Sequence, residues 1–175
     1  ELSIEKECNK TIDNNTAQLE YTVTVTNSGL ATVNSVNFED TITYDGENII
    51  IVSNDVSVSS DPSRTFNKQV TPDPGEVKIT SDLGDIDPGD EIIITIIVTL
   101  GASEILEPGR YLFENTATAV ADGISQVTDE CDLFIEAVEL TAFKCCLPGN
   151  TQDAIIFRLT VGNEPGSPET NVDII

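Results

Sequence analysis

The sequence predicts an all-β sandwich, and three observations carry that prediction. Apolar and polar residues alternate at period two, so that Leu19, Tyr21, Val23 and Val25 face one way while Glu20, Thr22, Thr24 and Thr26 face the other. The alternating runs are short, and Gly, Pro, Asn or Asp bounds each of them. Helical periodicity is hard to find anywhere along the chain.

Taken in order, the candidate strands are Leu2 to Cys8, Gln18 to Asn27, Thr32 to Ile42 and Ile49 to Val58, then Glu76 to Thr80, Glu91 to Leu100, Arg110 to Ala121 and Ile124 to Thr128. Their Val, Ile, Thr and Tyr content suits a pleated, half-buried surface. The apolar core of the sixth, Ile92 to Leu100, is nine residues long and interrupted by Thr95 and Thr99, too short to cross a bilayer. Asp122-Gly123 reads as a two-residue hairpin turn, because Gly accepts the positive φ such turns require. Ser59 to Pro74, with three Pro and mixed charge, reads as a long irregular excursion from the sheets. Eight short strands with this punctuation indicate a β-sandwich.

At 175 residues and 39% hydrophobic content, the chain has the length for one well-buried core with a smaller satellite. Eight Lys plus Arg against 31 Asp plus Glu give a formal charge of -23, which repels phosphate backbones and anionic membrane surfaces. Neither nucleic acid nor a membrane is therefore expected as a partner. The chain starts at Glu1 without Met or an apolar leader, the expectation being a mature chain or a piece of a longer one. Thr-, Ser- and Asn-rich strands and the Asn-x-Thr sequons at Asn9 and Asn14 point to an extracellular, cell-surface location.

An internal repeat is the most informative feature. Leu2-Ser-Ile-Glu-Lys6-Glu-Cys8 is echoed by Leu140-Thr-Ala-Phe-Lys144-Cys-Cys146, and Leu19-Glu-Tyr-Thr-Val-Thr-Val-Thr-Asn27 by Ile155-Ile-Phe-Arg-Leu-Thr-Val-Gly-Asn163. The register continues through Val36 and Phe38 against Val172 and Ile174. Residues 1–134 are expected to form a complete repeat and 135–175 an incomplete second one of about three strands, fewer than a sandwich needs. Its completion is expected either from further sequence of a tandem array or from a neighbouring subunit through strand addition. The expected partners are thus neighbouring copies of the same repeat or subunit.

The residues quoted so far, with three further motifs, resemble the bacterial and archaeal conserved repeat numbered eleven among the domains of unknown function. The resemblance is carried in order by Lys6, Tyr21-Thr-Val-Thr-Val-Thr-Asn27, Gly29-Leu-Ala31 to Asp40-Thr41, Leu83-Gly-Asp-Ile-Asp-Pro88-Gly89-Asp90 and Asn115-Thr-Ala-Thr118, across Leu2 to about Thr128. It implies an immunoglobulin-like fold in long cell-surface adhesins, envelope proteins and appendage components, with no common biochemical activity. The Cys residues and the Pro-bearing excursion depart from the family pattern.

Chemistry is constrained by what is missing. Without His there is no Ser-His-Asp or Cys-His arrangement and no ready general base near neutral pH. No phosphate-cradling Gly-rich loop is present, and no Trp offers a sugar platform beside the many carboxylates. The chain is expected not to be an enzyme and to have no small-molecule substrate; an enzyme would instead show a pocket holding two carboxylates with raised pKa.

Four Cys in an exported module suggest cross-links. Cys8 ends the first strand and Cys131 follows the last, so their pairing is the leading expectation, closing a loop of about 120 residues worth roughly 4 to 5 kcal/mol in the chain-entropy account. Cys145 or Cys146 then remains for a bond to another subunit or a later segment. The bland alternative is four reduced, buried thiols. Zinc is disfavoured because no Cys-x-x-Cys occurs.

Lys6 and Asn115 are a candidate pair for an intramolecular amide, with Asp40 or Glu20 as the carboxyl that polarises the Asn amide; an apolar pocket must keep the amine neutral. The bland reading is a snorkelling Lys and a loop-bonding Asn. No cofactor is expected except calcium, for which Asp85, Asp87 and Asp90 in the acidic turn and Asp129-Glu130-Cys131-Asp132 at the inter-repeat joint are candidates. The expected function is a structural spacer or self-assembling filament unit. The alternative is an adhesin-type domain recognising a host ligand or glycan through the excursion from Asp55 to Pro74.

Overall fold

In a computed structural model the chain is built from strands, with one 3-10 turn at Ser53–Asp55 among the described residues. The structure describes residues 1–13, 16–101, 104–105 and 109–137 with their side chains, and the strand backbones at 140–148 and 155–163. The chain divides into two compact units, one comprising Glu1–Leu106 and Tyr111–Ile135, the other Glu107–Arg110 and Glu136–Ile175.

The first unit is an immunoglobulin-like sandwich. One sheet has the order β1-β2-β7-β4, from β1 (Leu2–Asp13), β2 (Thr16–Asn27), β7 (Glu91–Gly101) and β4 (Val56–Asp61). The facing sheet has the order β10-β8-β3-β6-β5, from β10 (Leu133–Ala137), β8 (Gly109–Ala121), β3 (Val33–Thr43), β6 (Glu76–Ile86) and β5 (Asn67–Thr71); β9 (Ile124–Glu130) also pairs with β8. This resembles the ABED and CFG division of immunoglobulin sheets, with the extra strands β5 and β6 beyond β3.

Alternation decides which face is buried. Leu19, Tyr21, Val23 and Val25 of β2 and Ile94, Ile96, Val98 and Leu100 of β7 have no exposure, while the residues between them are partly or fully exposed. The β2–β7 register sets Tyr21 opposite Ile96 and Val23 opposite Ile94, so the two apolar rows form one surface. The other sheet answers with Val36, Phe38 and Ile42 on β3, Val77 and Ile79 on β6, and Phe113, Ala117 and Ala119 on β8. Removing these surfaces from water is the main favourable term holding the sheets together.

Turn chemistry agrees with the expectation at Asp122-Gly123, where Ala121 pairs with Ile124 across a two-residue loop and Gly123 has φ 72°. A second turn uses Gly89 at φ 85°, whose N–H donates to the Asn27 carbonyl at 2.8 Å. Asn27 is itself buried: its Nδ2 donates to the carbonyls of Ala31 and Ile86, each at 2.9 Å, and its Oδ1 accepts from the Gly29 N–H at 3.0 Å. One side chain thus pins the start of β3's loop, the end of β6 and its own strand. Asn27→Ala takes the Nδ2 donor from the Ala31 and Ile86 carbonyls, and a loss of about 1–3 kcal/mol is expected in a urea melt.

Two expectations need correction. The excursion from Ser59 to Pro74 is not an irregular loop: its first part completes β4, which pairs with β7 from Val56↔Val98 to Asp61↔Ile93, and its later part forms β5 against β6. Both are edge strands. Their Ser, Asp, Asn and Lys residues bury little and take their order from the neighbour's hydrogen-bond ladder, so period-two hydrophobicity does not mark them. The expected strand Ile49 to Val58 breaks for the same stretch into an isolated bridge, Ile49↔Ile105, the 3-10 turn and the start of β4. The strand at Leu133–Ala137 was not anticipated.

The second unit contains β11 (Leu140–Pro148) and β12 (Ile155–Asn163), an antiparallel pair. Leu140 pairs with Asn163, Lys144 with Leu159 and Cys146 with Phe157. In the first unit Leu2 pairs with Asn27, Lys6 with Val23 and Cys8 with Tyr21. The repeated sequence therefore folds into the same hairpin in the same register.

Candidate functional site

Three polar residues meet in the apolar core. Lys6 on β1, Asp40 on β3 and Asn115 on β8 are 6%, 0% and 0% exposed, and β1 belongs to one sheet while β3 and β8 belong to the other. Each occupies an inward position of its strand: Lys6 follows Leu2 and Ile4 on one face, Asp40 lies between Phe38 and Ile42, and Asn115 lies between Phe113 and Ala117. On adjacent strands Asp40 pairs with Ala117 and Asn115 with Ile42, which makes Asp40 and Asn115 diagonal neighbours on the inner face.

The Lys6 Nζ donates to Asp40 Oδ2, and neither side chain is reached by solvent. The Tyr21 ring covers the amine, its centroid 5.4 Å from Nζ. Burial lowers the Lys6 pKa, against the opposing pull of Asp40 and, more weakly, Asp129. Burial likewise raises the Asp40 pKa, against Lys6 and a smaller contribution from the Asn115 amide. Both directions favour the uncharged amine and the protonated acid.

The hydrogen-bond accounting at this site does not close. Asn115 Oδ1 and Nδ2 and Asp40 Oδ1 are buried with no hydrogen-bond partner; the Asn115 amide lies near enough to Asp40 to favour its charged form without completing a bond of normal geometry. Tyr21 Oη is also buried and unpartnered, and burial first, then Asp40 and Asp132, pushes its pKa up. Buried amides are nearly always satisfied, and an orphaned one costs about 1–3 kcal/mol. A Lys amine, a carboxyl and an unsatisfied carboxamide in a dry pocket are the parts needed for an aminolysis.

Backbone contacts hold the site's edge. Asp129 Oδ2 accepts from the Lys6 N–H at 2.7 Å, Asp132 Oδ1 from the Asn115 N–H at 3.2 Å, and the Asn115 carbonyl from the Cys131 N–H at 3.0 Å. Two residues along β1 from Lys6, Cys8 is disulfide-bonded to Cys131, as expected, with Cα atoms 5.9 Å apart. Further along, Lys10 Nζ donates to the Phe134 carbonyl at 2.7 Å and lies 4.1 Å from that ring's centroid. The start of the chain is thereby fastened to the facing sheet at successive inward positions of β1.

Of the two carboxyls proposed to assist the amide, the structure selects Asp40 and rejects Glu20, which is exposed on the outer face of β2. The signal lay in the sequence, since Glu20 falls between the inward Leu19 and Tyr21. The roles of Tyr21, Asp129 and Asp132 were missed, because they depend on which segments the fold sets side by side. Cys145 and Cys146 lie on β11, but their side chains fall outside the described residues, as does Asn14; Asn9 is exposed on β1.

The acidic turn is not gathered into a cation cage. Asp85 Oδ1 accepts from the Ser35 N–H at 2.9 Å and Asp87 Oδ1 from the Thr32 hydroxyl at 2.7 Å, so these carboxylates serve loop hydrogen bonds. Among the described residues no three His, Cys, Asp or Glu side chains come together as metal ligands, so Asp85, Asp87 and Asp90 are not assembled as a calcium site, nor are the acids of the inter-repeat joint. Millimolar calcium is expected to leave the melting temperature unchanged apart from ionic-strength effects.

No family model and no curated protein matches the chain, so the family resemblance rests on the quoted motifs alone. Among solved structures, it is similar to the collagen-binding domain of a Staphylococcus aureus adhesin, at 10% identity and TM-score 0.44 over 76% of this chain and 96% of that one. It is also similar to the C-terminal domain of the Streptococcus pyogenes antigen I/II-family protein AspA, at 9% identity and TM-score 0.44 over 77% of this chain and 46% of that one. A family 123 glycoside hydrolase from Clostridium perfringens matches at 13% identity and TM-score 0.42, over 69% of this chain and 21% of the hydrolase. The chain thus spans less than half of AspA's domain and about a fifth of the hydrolase. Likenesses at this level do not distinguish an adhesin from an enzyme.

Proposed function

We propose that this chain is a structural module of an extracellular surface protein or filament, a rigid repeat that holds its neighbours in line. The observation that carries this reading is the repeated hairpin: β11 and β12 reproduce the register of β1 and β2, from Leu140↔Asn163 to Cys146↔Phe157. A chain that begins the same unit twice is organised as a series of sandwiches. In the first unit β2 pairs with β7 on the side away from β1, whereas β11 and β12 form a two-stranded sheet among the described residues. A two-stranded sheet is marginal alone. Its completion, by further chain in an array or by a strand from another copy, is the assembly step of this reading. The charge of -23 keeps crowded copies apart.

Electron microscopy tests the assembly, and antibody labelling of intact cells tests the location. Linear strings or filaments with a repeat near the size of one sandwich are expected, together with labelling that needs no permeabilisation. Isolated particles at every concentration, or labelling only after permeabilisation, overturn the reading.

The adhesin alternative is favoured by one feature, an open cleft of about 550 Å³ on the outer face of β3, β6 and β8, bordered by Asn67 of β5. Because β4 and β5 are sheet strands, deleting the excursion removes fold as well as surface. Substitution of exposed Asn67 and Gln126 is the cleaner test: loss of adhesion with folding retained supports a binding role.

A further inference from the structure

We propose that Lys6 and Asn115 become joined by a self-formed amide bond, with Asp40 carrying the protons, so that β1 of one sheet is welded to β8 of the other. The inference rests on the buried site alone and stands or falls independently of the surface reading.

The site holds a nucleophile, an electrophile and a proton carrier on inward positions of three strands. The nucleophile is the Lys6 amine, held against Asp40 and roofed by Tyr21 with no solvent at either side chain. The electrophile is the Asn115 carboxamide, whose oxygen and nitrogen are buried and make no hydrogen bond. The proton carrier is Asp40, which holds the amine with Oδ2 while Oδ1 has no partner. In a low-dielectric pocket, transfer of one proton from the Lys6 ammonium to the Asp40 carboxylate converts an ion pair into a neutral acid and a neutral amine. The lowered Lys6 pKa and the raised Asp40 pKa, both caused first by burial, favour that neutral pair.

The steps balance without an oxidant, reductant or other co-reactant. The Lys6 Nζ lone pair attacks Asn115 Cγ, the carbonyl π pair moves to Oδ1, and protonated Asp40 gives Oδ1 its proton. The Asp40 carboxylate then removes a proton from the attached Nζ and passes it to Nδ2. The Cγ–Nδ2 bond breaks, with its electron pair leaving on nitrogen as ammonia, and the carbonyl re-forms as Oδ1 returns its proton to Asp40. A primary amine and a carboxamide become a secondary amide and ammonia. The product needs one buried N–H and one buried carbonyl satisfied where the reactants present an amine and a whole carboxamide, and Asp40 faces both.

The site is preorganised on strands of the two sheets and bounded by the backbone bonds from Lys6 to Asp129 and from Asn115 to Asp132. The amide would also close nearly the same stretch of chain as the neighbouring Cys8–Cys131 bond. Unlike that bond, it is indifferent to thiol reductants. A surface module carrying both keeps its first strand anchored whichever redox condition it meets.

Intact mass spectrometry of the folded chain after complete reduction tests the proposal. The wild-type chain is expected to be lighter than its sequence mass by one ammonia, with a protease map that shows the Lys6 and Asn115 peptides joined and no cleavage after Lys6. Lys6→Arg, Asn115→Ala and Asp40→Asn are each expected at full sequence mass, with the joined peptide absent. A cooperatively folded wild-type chain at full sequence mass overturns the bond, and this measurement needs no variant to fold. Ammonia lost as a succinimide at another Asn, with Lys6 free, overturns it equally. If Asp40→Asn keeps the deficit, the role assigned to Asp40 is wrong.

Discussion

Asp40→Ala is expected to destabilise the first unit by about 3–5 kcal/mol, because it leaves the Lys6 amine buried without its carboxyl partner, to be held there as an unpaired ion or stripped of its proton. Asp40 and Lys6 have fully buried side chains, so water cannot replace the missing carboxylate without opening the sandwich. The cost is that of burying an unpartnered amine, charged or deprotonated, and not the net worth of the pair. Lys6→Met is therefore expected to be milder, since Asp40 can take up a proton and remain neutral, as the upward shift of its pKa indicates. Glu39→Ala is the control: its 2.8 Å bridge to Lys78 is exposed at both ends, and no measurable loss is expected. Urea unfolding under reducing conditions reads all three. A midpoint for Asp40→Ala within error of the control would show that Lys6 does not depend on Asp40 for its place in the core, while a change in the m-value would show that the fold itself had altered.

Reduction of Cys8–Cys131 is the second large effect, and its size depends on whether Lys6 and Asn115 are joined. The disulfide spans 123 residues. In a chain otherwise open, closing so long a loop is worth about 5 kcal/mol through the lost entropy of the unfolded state. If the unfolded chain is already tied between Lys6 and Asn115, the disulfide closes only the short remainder, Lys6 to Cys8 plus Asn115 to Cys131, and its contribution falls to about 3 kcal/mol. Reduction is thus expected to cost the Lys6→Arg chain about 1.5–2 kcal/mol more than the wild type, the difference of two chain-entropy terms. Melts of oxidised and reduced protein for both chains complete the cycle. Equal losses in the two would place the disulfide and the buried triad in independent roles.

Much of the fold could be read directly, for a definite reason. A strand buried on one face must alternate, and β2, β7 and β8 lie between two hydrogen-bonded neighbours, so each shows its period in full. The edge strands β4 and β5 bury so little that their composition matches a loop, and only the ladder beside them reveals their state. The Cys8–Cys131 pairing was visible because both residues close the ends of the sandwich's first and last long runs. Asp40 and Glu20 stood as equal candidates for the assisting carboxyl, although the parity of Leu19 and Tyr21 already turns Glu20 outward. In the acidic turn, Asp85 and Asp87 crowd together in sequence, and each gives an oxygen to a distant segment, Ser35 of β3 and Thr32 just before that strand.

The amino-acid sequence by itself determined the strand periodicity, the turn at Asp122-Gly123, the repeated hairpin and the candidacy of Lys6 and Asn115, with Asp40 and Glu20 both left as the assisting carboxyl, since all are properties of local spacing. Only the tertiary structure decided that Lys6 reaches Asp40 across the sandwich, that Asn115 stands diagonal to Asp40 instead of opposite it, and that the Asn115 amide is left without a partner. Those facts depend on the register between β3 and β8 and on the packing of one sheet against another, and a slip of a single residue would turn each of these side chains outward.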